Sequence, residues 1–176
     1  MHLSENVRVS PNLEPHQDAI LNYCRRRTSF EDAEDAASEV MAIAWRRRQD
    51  LPEEHLRAYL YGIAFKVLAN QRRAVQRQTR LVRRAHHETA ESPEDIVVAS
   101  EESHLVIVGL EEIAGSDREI LRLAAWEQLS RTEIAAALGI SENAVTKRFN
   151  RALDRLAAQL GVKRRTGSQF FKRNES

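Results

Sequence analysis

Cysteine is almost absent from this 176-residue chain: Cys24 stands alone. No internal disulfide framework can form, and the composition fits a reducing compartment. Cys24 itself reads as a small buried apolar residue and not as a redox switch. There are only six Gly and four Pro, and no segment alternates apolar and polar residues with period two, so no sheet is predicted. Aromatic residues make up 6% of the chain, which leaves Ala- and Leu-rich helical cores of modest size. No apolar run approaches the roughly 20 residues that span a bilayer. The N-terminus, with Glu5, Pro11 and Glu14, lacks the basic and then apolar regions of a signal peptide, so a cytoplasmic protein without membrane insertion is expected. The six His residues show no metal-ligand spacing, and neither a phosphate loop nor a nucleophile–base spacing occurs. An enzyme is not expected, nor a cofactor.

What is abundant is charge, and its pattern matters more than its sum. The net charge is +1, yet residues 31–50 carry −3, residues 51–84 carry +6, residues 85–120 carry −9 and residues 121–176 carry +6. Two basic blocks flank an acidic middle. A nucleic-acid protein can look neutral overall in this way.

The most specific local grammar lies at Ser130–Phe149. Ser130 and Glu133 have capping-box spacing, and Ile134, Ala135 and Leu138 share one face of a short helix. Gly139 suits the left-handed residue that ends it, Ile140 plugs the turn, and Ser141 caps a second helix. This is the pattern of a helix-turn-helix, whose second helix usually enters the DNA major groove. On that helix Val145, Phe149, Ala152 and Leu156 fall together as a core face, while Asn143, Lys147, Asn150, Arg151 and Asp154 fall opposite. Asn, Lys and Arg suit base edges and phosphates; Arg148, at the edge of the stripe, suits a phosphate.

The whole chain reads as all-α: two small helical domains joined by an acidic linker, the C-terminal one a helix-turn-helix. Residues 1–13 read as disordered and 14–81 as the N-terminal domain. Its helices are expected from Glu14 to Arg27, from Phe30 to Arg48, and from near Pro52 onward. On the second, Ala33, Ala37, Val40 and Ala44 form a stripe with Met41 and Trp45 alongside. Residues 82–100 form the linker and 101–160 the C-terminal domain, with helices over 101–113, 117–127, 131–138 and 142–160. Ser116 and Glu119 offer another capping box. Residues 161–176 read as a basic flexible tail around Phe170 and Phe171.

The third helix carries a basic surface of its own. Tyr59, Asn70, Arg73 and Arg77, extended by Arg80 and Arg84, lie within about 40° of Lys66 on the helical wheel. Its apolar stripe of Leu56, Leu60, Ile63 and Val67 is centred about 90° away. Such a row fits a phosphate backbone, and Tyr59 can stack on an exposed base. The second helix is the opposite, with Glu31, Asp32, Glu34, Asp35 and Glu39 in its first three turns. Acids are favoured at a helix N-terminus, but Asp35 and Glu39, four apart, also make a ridge suited to an Arg-rich partner. These carboxylates spread around the helix with no His nearby, which argues against a metal-dependent nuclease.

Three motifs in order then resemble a family, the ECF-type (extracytoplasmic function) sigma factors of bacterial RNA polymerase. Asp32–Arg46 looks like the family's polymerase-binding helix, Ala58–Ala64 like the start of its promoter-melting helix, and Asp117–Leu123 with the helix-turn-helix through Ala152 like its upstream-promoter domain. The resemblance covers about residues 14–160. It implies that Asp35, Ser38 and Glu39 meet the clamp coiled coil of core RNA polymerase. It implies that Arg46, Arg47 and Arg48, with Tyr59, Lys66, Asn70, Arg73 and Arg77, take the non-template strand of the minus-ten promoter element. Asn143, Thr146, Lys147, Arg148 and Arg151 would read the minus-thirty-five element as duplex DNA. The acidic linker would cross the polymerase's RNA path, and an anti-sigma factor is an expected partner. Ser38 departs from the usual Gln, Phe65-Lys66 from the usual Arg-Asn, and Asn70 from an Asp. The rival reading is a stand-alone dimeric helix-turn-helix regulator, which has no need of a second nucleic-acid face.

Overall fold

The computed structural model describes residues 11–85, 108–110 and 112–161, with side chains described outside 81–85. Residues 82–85, expected to open the linker, continue a helix instead, and Leu13, expected in a disordered segment, is buried. The rest of the linker, the start of the 101–113 helix, the Phe170-Phe171 tail and residues 1–10 lie outside the described residues. Every regular element described is helical. The chain divides into two compact units, Met1–Pro93 and Glu94–Ser176.

In the first unit, Pro15 sits early in a 3-10 turn, Glu14–His16, that feeds α1, Gln17–Arg25. Proline is tolerated there because its missing N–H would have no intrahelical partner. The expected single helix from Glu14 is thus a 3-10 turn followed by an α-helix. α2, Phe30–Arg46, starts where Ser29 Oγ accepts the Asp32 N–H at 3.3 Å. It buries Ala33, Ala36, Ala37, Val40 and Ala44. α3, Leu56–Ala85, buries Leu60, Tyr61, Ile63, Val67 and Leu68 against both. The small residues of α2 let the helices approach closely, and the Tyr23 and Tyr61 rings fill the centre, stacked with centroids 5.1 Å apart. Arg27 lies 3.5 Å above the outer face of Tyr23.

Pro52 was expected early in α3, but the helix begins at Leu56. His55 precedes it at φ 58°, a left-handed backbone that cannot continue a right-handed helix. α2 likewise ends at Arg46, two residues short of the expected Arg48, because Arg47 leaves helical geometry. Far past these starts, α3 outlives its core: from Ala69 to Arg80 no residue is buried.

In the second unit, residues 108–110 are helical and Gly109 lies against the end of the last helix. α4, Gly115–Ala125, buries Ile120, Leu121, Leu123 and Ala124. The capping box expected from Ser116 and Glu119 does not form there: Ala114 occupies the cap position without a side-chain bond. Ser116 is already inside the first turn. α5, Arg131–Leu138, has the expected box at Ser130 and Glu133, with Ser130 Oγ accepting the Glu133 N–H at 3.2 Å and Glu133 Oε2 accepting the Ser130 N–H at 2.8 Å. Gly139 ends it at φ 65°, and the Ile140 N–H reaches Ala135 O at 3.1 Å. α6, Glu142–Gln159, is capped by Ser141 and buries Val145, Phe149 and Ala152 against α4 and α5. Leu156, expected in that stripe, is half-buried.

Candidate nucleic-acid interface

Because α6 turns Val145, Phe149 and Ala152 inward, its other positions are sorted by geometry. Asn143 and Lys147 are exposed, one turn apart, and Thr146, Arg148 and Asn150 are half-buried at the flanks. Thr146 Oγ1 donates to Glu142 O at 3.0 Å, which leaves its oxygen as an acceptor. Thr132 Oγ1 donates to Glu142 Oε1 at 3.1 Å, joining the starts of α5 and α6. Those bonds hold the turn while the Lys147 ammonium stands in water.

Arg151 differs from its neighbours. Its Nε and Nη2 donate to the two oxygens of Asp117 on α4, at 2.8 and 3.0 Å. The Asp117 side chain is 3% exposed and the Arg151 side chain 55%. A residue expected to be a free reader is therefore half committed to a buried carboxylate. The sequence offered no sign of it, since the partners are 34 positions apart.

Along α3, Lys66, Asn70, Arg73, Arg77 and Arg80 are exposed on one side, with Tyr59 half-buried at its upper end. There is no Asp or Glu between Glu54 and Glu88, so no acid on this helix offsets the row. Arg73 folds along its own helix, donating to Asn70 Oδ1 at 3.0 Å and to Ala69 O at 3.2 Å. Arg72, beside the row, is turned to Arg27 O at 3.0 Å and braces α3 against the end of α1.

At the end of α2, Arg46 and Arg47 are exposed, but Arg48 lies over the Trp45 ring at 4.8 Å and donates to Trp45 O at 3.3 Å. Trp45 was expected beside the core stripe, yet it is 61% exposed. The helical period places it within about 60° of Ser38 and Ala42, which are also exposed, and about 100–140° from the buried Val40 and Ala44. An open groove of about 620 Å³ runs between this ring, Met41, Pro11 and Leu13.

The acidic face of α2 is sorted too. Asp32 is engaged by Ser29 at 2.7 Å and Glu34 by Arg25 at 3.3 Å. Asp35, Ser38 and Glu39 stand exposed together, and Asp35 and Glu39 form no ion pair among the described residues. The ridge and the cationic row thus lie on separate helices of one unit. Among the described residues no group of three His, Cys, Asp or Glu could hold a metal ion, and no helix is long and apolar enough to cross a membrane.

Comparison with known proteins matches both units. The family description "Sigma-70 region 2" fits residues 13–78, and "Sigma-70, region 4" fits residues 109–156. The RNA polymerase sigma-E factor of Streptomyces coelicolor is 29% identical over 176 residues, covering 98% of this chain and 97% of the relative. The ECF RNA polymerase sigma factor SigD of Mycobacterium tuberculosis is 31% identical over 159 residues, covering 84% of this chain and 74% of the relative. Among solved structures, the sigma factor RpoE of Bartonella quintana, bound to the anti-sigma factor NepR, shares the fold with a TM-score of 0.66 at 22% identity, covering 86% of this chain and 96% of that one. With its helix-turn-helix in place and two sigma regions in sequence, this chain belongs to the ECF-type family of RNA polymerase sigma factors.

Proposed function

We propose that this protein binds core RNA polymerase and directs it to promoters by contacting DNA at two places. Asp35, Ser38 and Glu39 on α2 meet a basic surface of the polymerase. Arg46, Arg47 and Arg48 at the end of α2 and the α3 row of Tyr59, Lys66, Asn70, Arg73 and Arg77 take the non-template strand of the opened minus-ten element. Asn143, Thr146, Lys147 and Arg148, with Arg151, face the minus-thirty-five duplex. Its role is physical and not catalytic, and its place is the cytoplasm. An anti-sigma factor, of the kind that accompanies the Bartonella relative, is its expected regulator.

The observation that carries this reading is the coexistence of an unpaired acidic ridge and an unopposed cationic row on one helical unit, with a separate helix-turn-helix on the other. A dimerising regulator needs only the last of these. Capturing an unstacked base costs a few kcal/mol, offset by stacking and phosphate contacts. Two weak contacts gain from effective concentration once both are held on one polymerase. The free protein is therefore a poor, salt-sensitive binder of promoter DNA.

Run-off transcription with bacterial core polymerase, with and without the protein, tests it. New, discrete start sites that disappear with Lys147→Ala and with Asp35→Ala are expected. Start sites independent of the protein, or tight operator binding by the protein alone, would replace this reading with the stand-alone regulator.

A further inference from the structure

The pair between Asp117 and Arg151 joins a buried carboxylate to a half-exposed guanidinium. Asp117 is 2% exposed in the first turn of α4, and its two oxygens take Nε and Nη2 of Arg151 side-on. An Arg fork matched to a carboxylate in this way fixes the guanidinium plane. Of the five N–H donors that a guanidinium carries, two are spent here. The others lie on the side of the head away from the carboxylate, and the Arg151 side chain is still 55% exposed. Arg151 stands one turn after Lys147, on the polar side of α6.

We infer that Asp117 is a positioning residue: it locks Arg151 so that the outer edge of the guanidinium meets one DNA phosphate, while α6 is held at a fixed angle. Arg151 is then a phosphate clamp and not a base reader. This rests on the DNA-binding role proposed above for α6 and adds a named contact to it. The lock removes rotamer freedom before binding, so the ordering cost of a long side chain does not fall on the complex. A bare salt bridge makes the opposite prediction, because Asp117 would then only cancel a useful cation and its neutralisation would strengthen DNA binding.

The test uses the full-length chain assembled with core polymerase, and a duplex that the wild-type holoenzyme enriches from a random-sequence pool. Affinity is measured across a series of salt concentrations, with chemical denaturation as the folding control. Asp117→Asn should weaken binding about threefold to tenfold, the scale of re-immobilising one freed side chain, with the salt slope unchanged. Adding Arg151→Gln to it leaves no buried charge unpaired and should reduce the slope by about 0.9, one phosphate's worth. Arg151→Lys keeps the charge and loses the fork; it should match Asp117→Asn in affinity, and it decides alone if Asp117→Asn does not fold. Wild-type or tighter binding by Asp117→Asn or by Arg151→Lys, or an unchanged slope in the double variant, overturns the inference. A wild-type holoenzyme that enriches no duplex overturns the proposed function, and this inference with it.

Discussion

Gly139→Ala isolates a single backbone term. Gly139 closes α5 at φ 65°, ψ 39°, and a Cβ added there would meet no atom within 4 Å. No clash contributes, so the cost is conformational alone. An L-residue in the left-handed region costs about 1–2 kcal/mol. Restricting the unfolded chain returns about 0.4–1 kcal/mol. The net loss should be roughly 1 kcal/mol, which at a urea slope of about 1 kcal/mol per molar for a small unit lowers the midpoint by about 1 M. Gly139→Asn, whose side chain tolerates this region, should lose less than half as much. The chain has two Trp, so a Trp45→Phe background leaves Trp126, beside α4, as the fluorescent reporter of the second unit. Gln128, at φ 54° in the turn before α5, supplies the opposite sign. Gln128→Gly relieves the same strain, offset by about 0.5–1 kcal/mol of glycine entropy, for a net gain of about 0.5–1 kcal/mol. A Gly139→Ala protein as stable as wild type, or Ala and Asn variants equally destabilised, would refute the reasoning.

Other expectations concern packing, charge and pH. Gly109→Ala places a Cβ 2.9 Å from Leu156 Cδ1, the tip of a half-buried side chain that can turn aside. Helix propensity, about 1 kcal/mol for Gly to Ala, offsets that shift, so the denaturation midpoint of the second unit should move little. Reversing the α2 ridge with Asp35→Lys and Glu39→Lys should cut core-polymerase capture at least about tenfold by pull-down or anisotropy, with stability within about 0.5 kcal/mol of wild type. Burial, with the Arg57 charge adding to it, holds the His16 imidazole below its usual range. The unfolded chain therefore binds more protons as pH falls through about 6.5, and stability declines there. His16→Gln should shrink that decline between pH 7 and pH 5, read from denaturation midpoints.

Much of this architecture is written in local signals. Ser29, Ser130 and Ser141 each cap the helix that follows, because a hydroxyl just before an apolar stripe meets a backbone N–H three residues on. Val145, Phe149 and Ala152 are legible because their spacing matches the helical period. The same grammar misleads at Ser116 and Glu119. Their spacing is right, but Ala114 already turns the chain from ψ 135° into the helix, so the serine falls inside it. Trp45 shows the limit of hydrophobicity: a large apolar side chain joins the core by default, yet period and neighbours put it with Ser38 and Ala42 in water. The left-handed His55, which delays α3, carries only a weak residue-type signal: histidine is enriched among the few non-glycine residues in that region, yet most histidines lie elsewhere. Asp117 belongs to the stretch that resembles a family motif, but its bond to Arg151 is a tertiary fact with no trace in local pattern.

The far end of α3 has a consequence beyond contact with a ligand. From Ala69 to Arg80 no side chain is buried, while Arg72, Arg73, Arg77 and Arg80 repel one another with no acid on the helix to relieve them. Past Arg72, whose bond to Arg27 O still ties the helix to α1, the turns are held mainly by their own backbone bonds and sit near the coil transition, as short isolated helices do in water. Amide protection should therefore decline steadily from Leu68 toward Arg80. A polyanion lying along the row removes the repulsion, so its binding and the completion of the helix draw on one shared free energy. Added heparin should slow exchange at Arg73–Arg80 and leave Leu60–Leu68 untouched. The helix would then carry a gradient of order, steep in dilute buffer and flat on its partner.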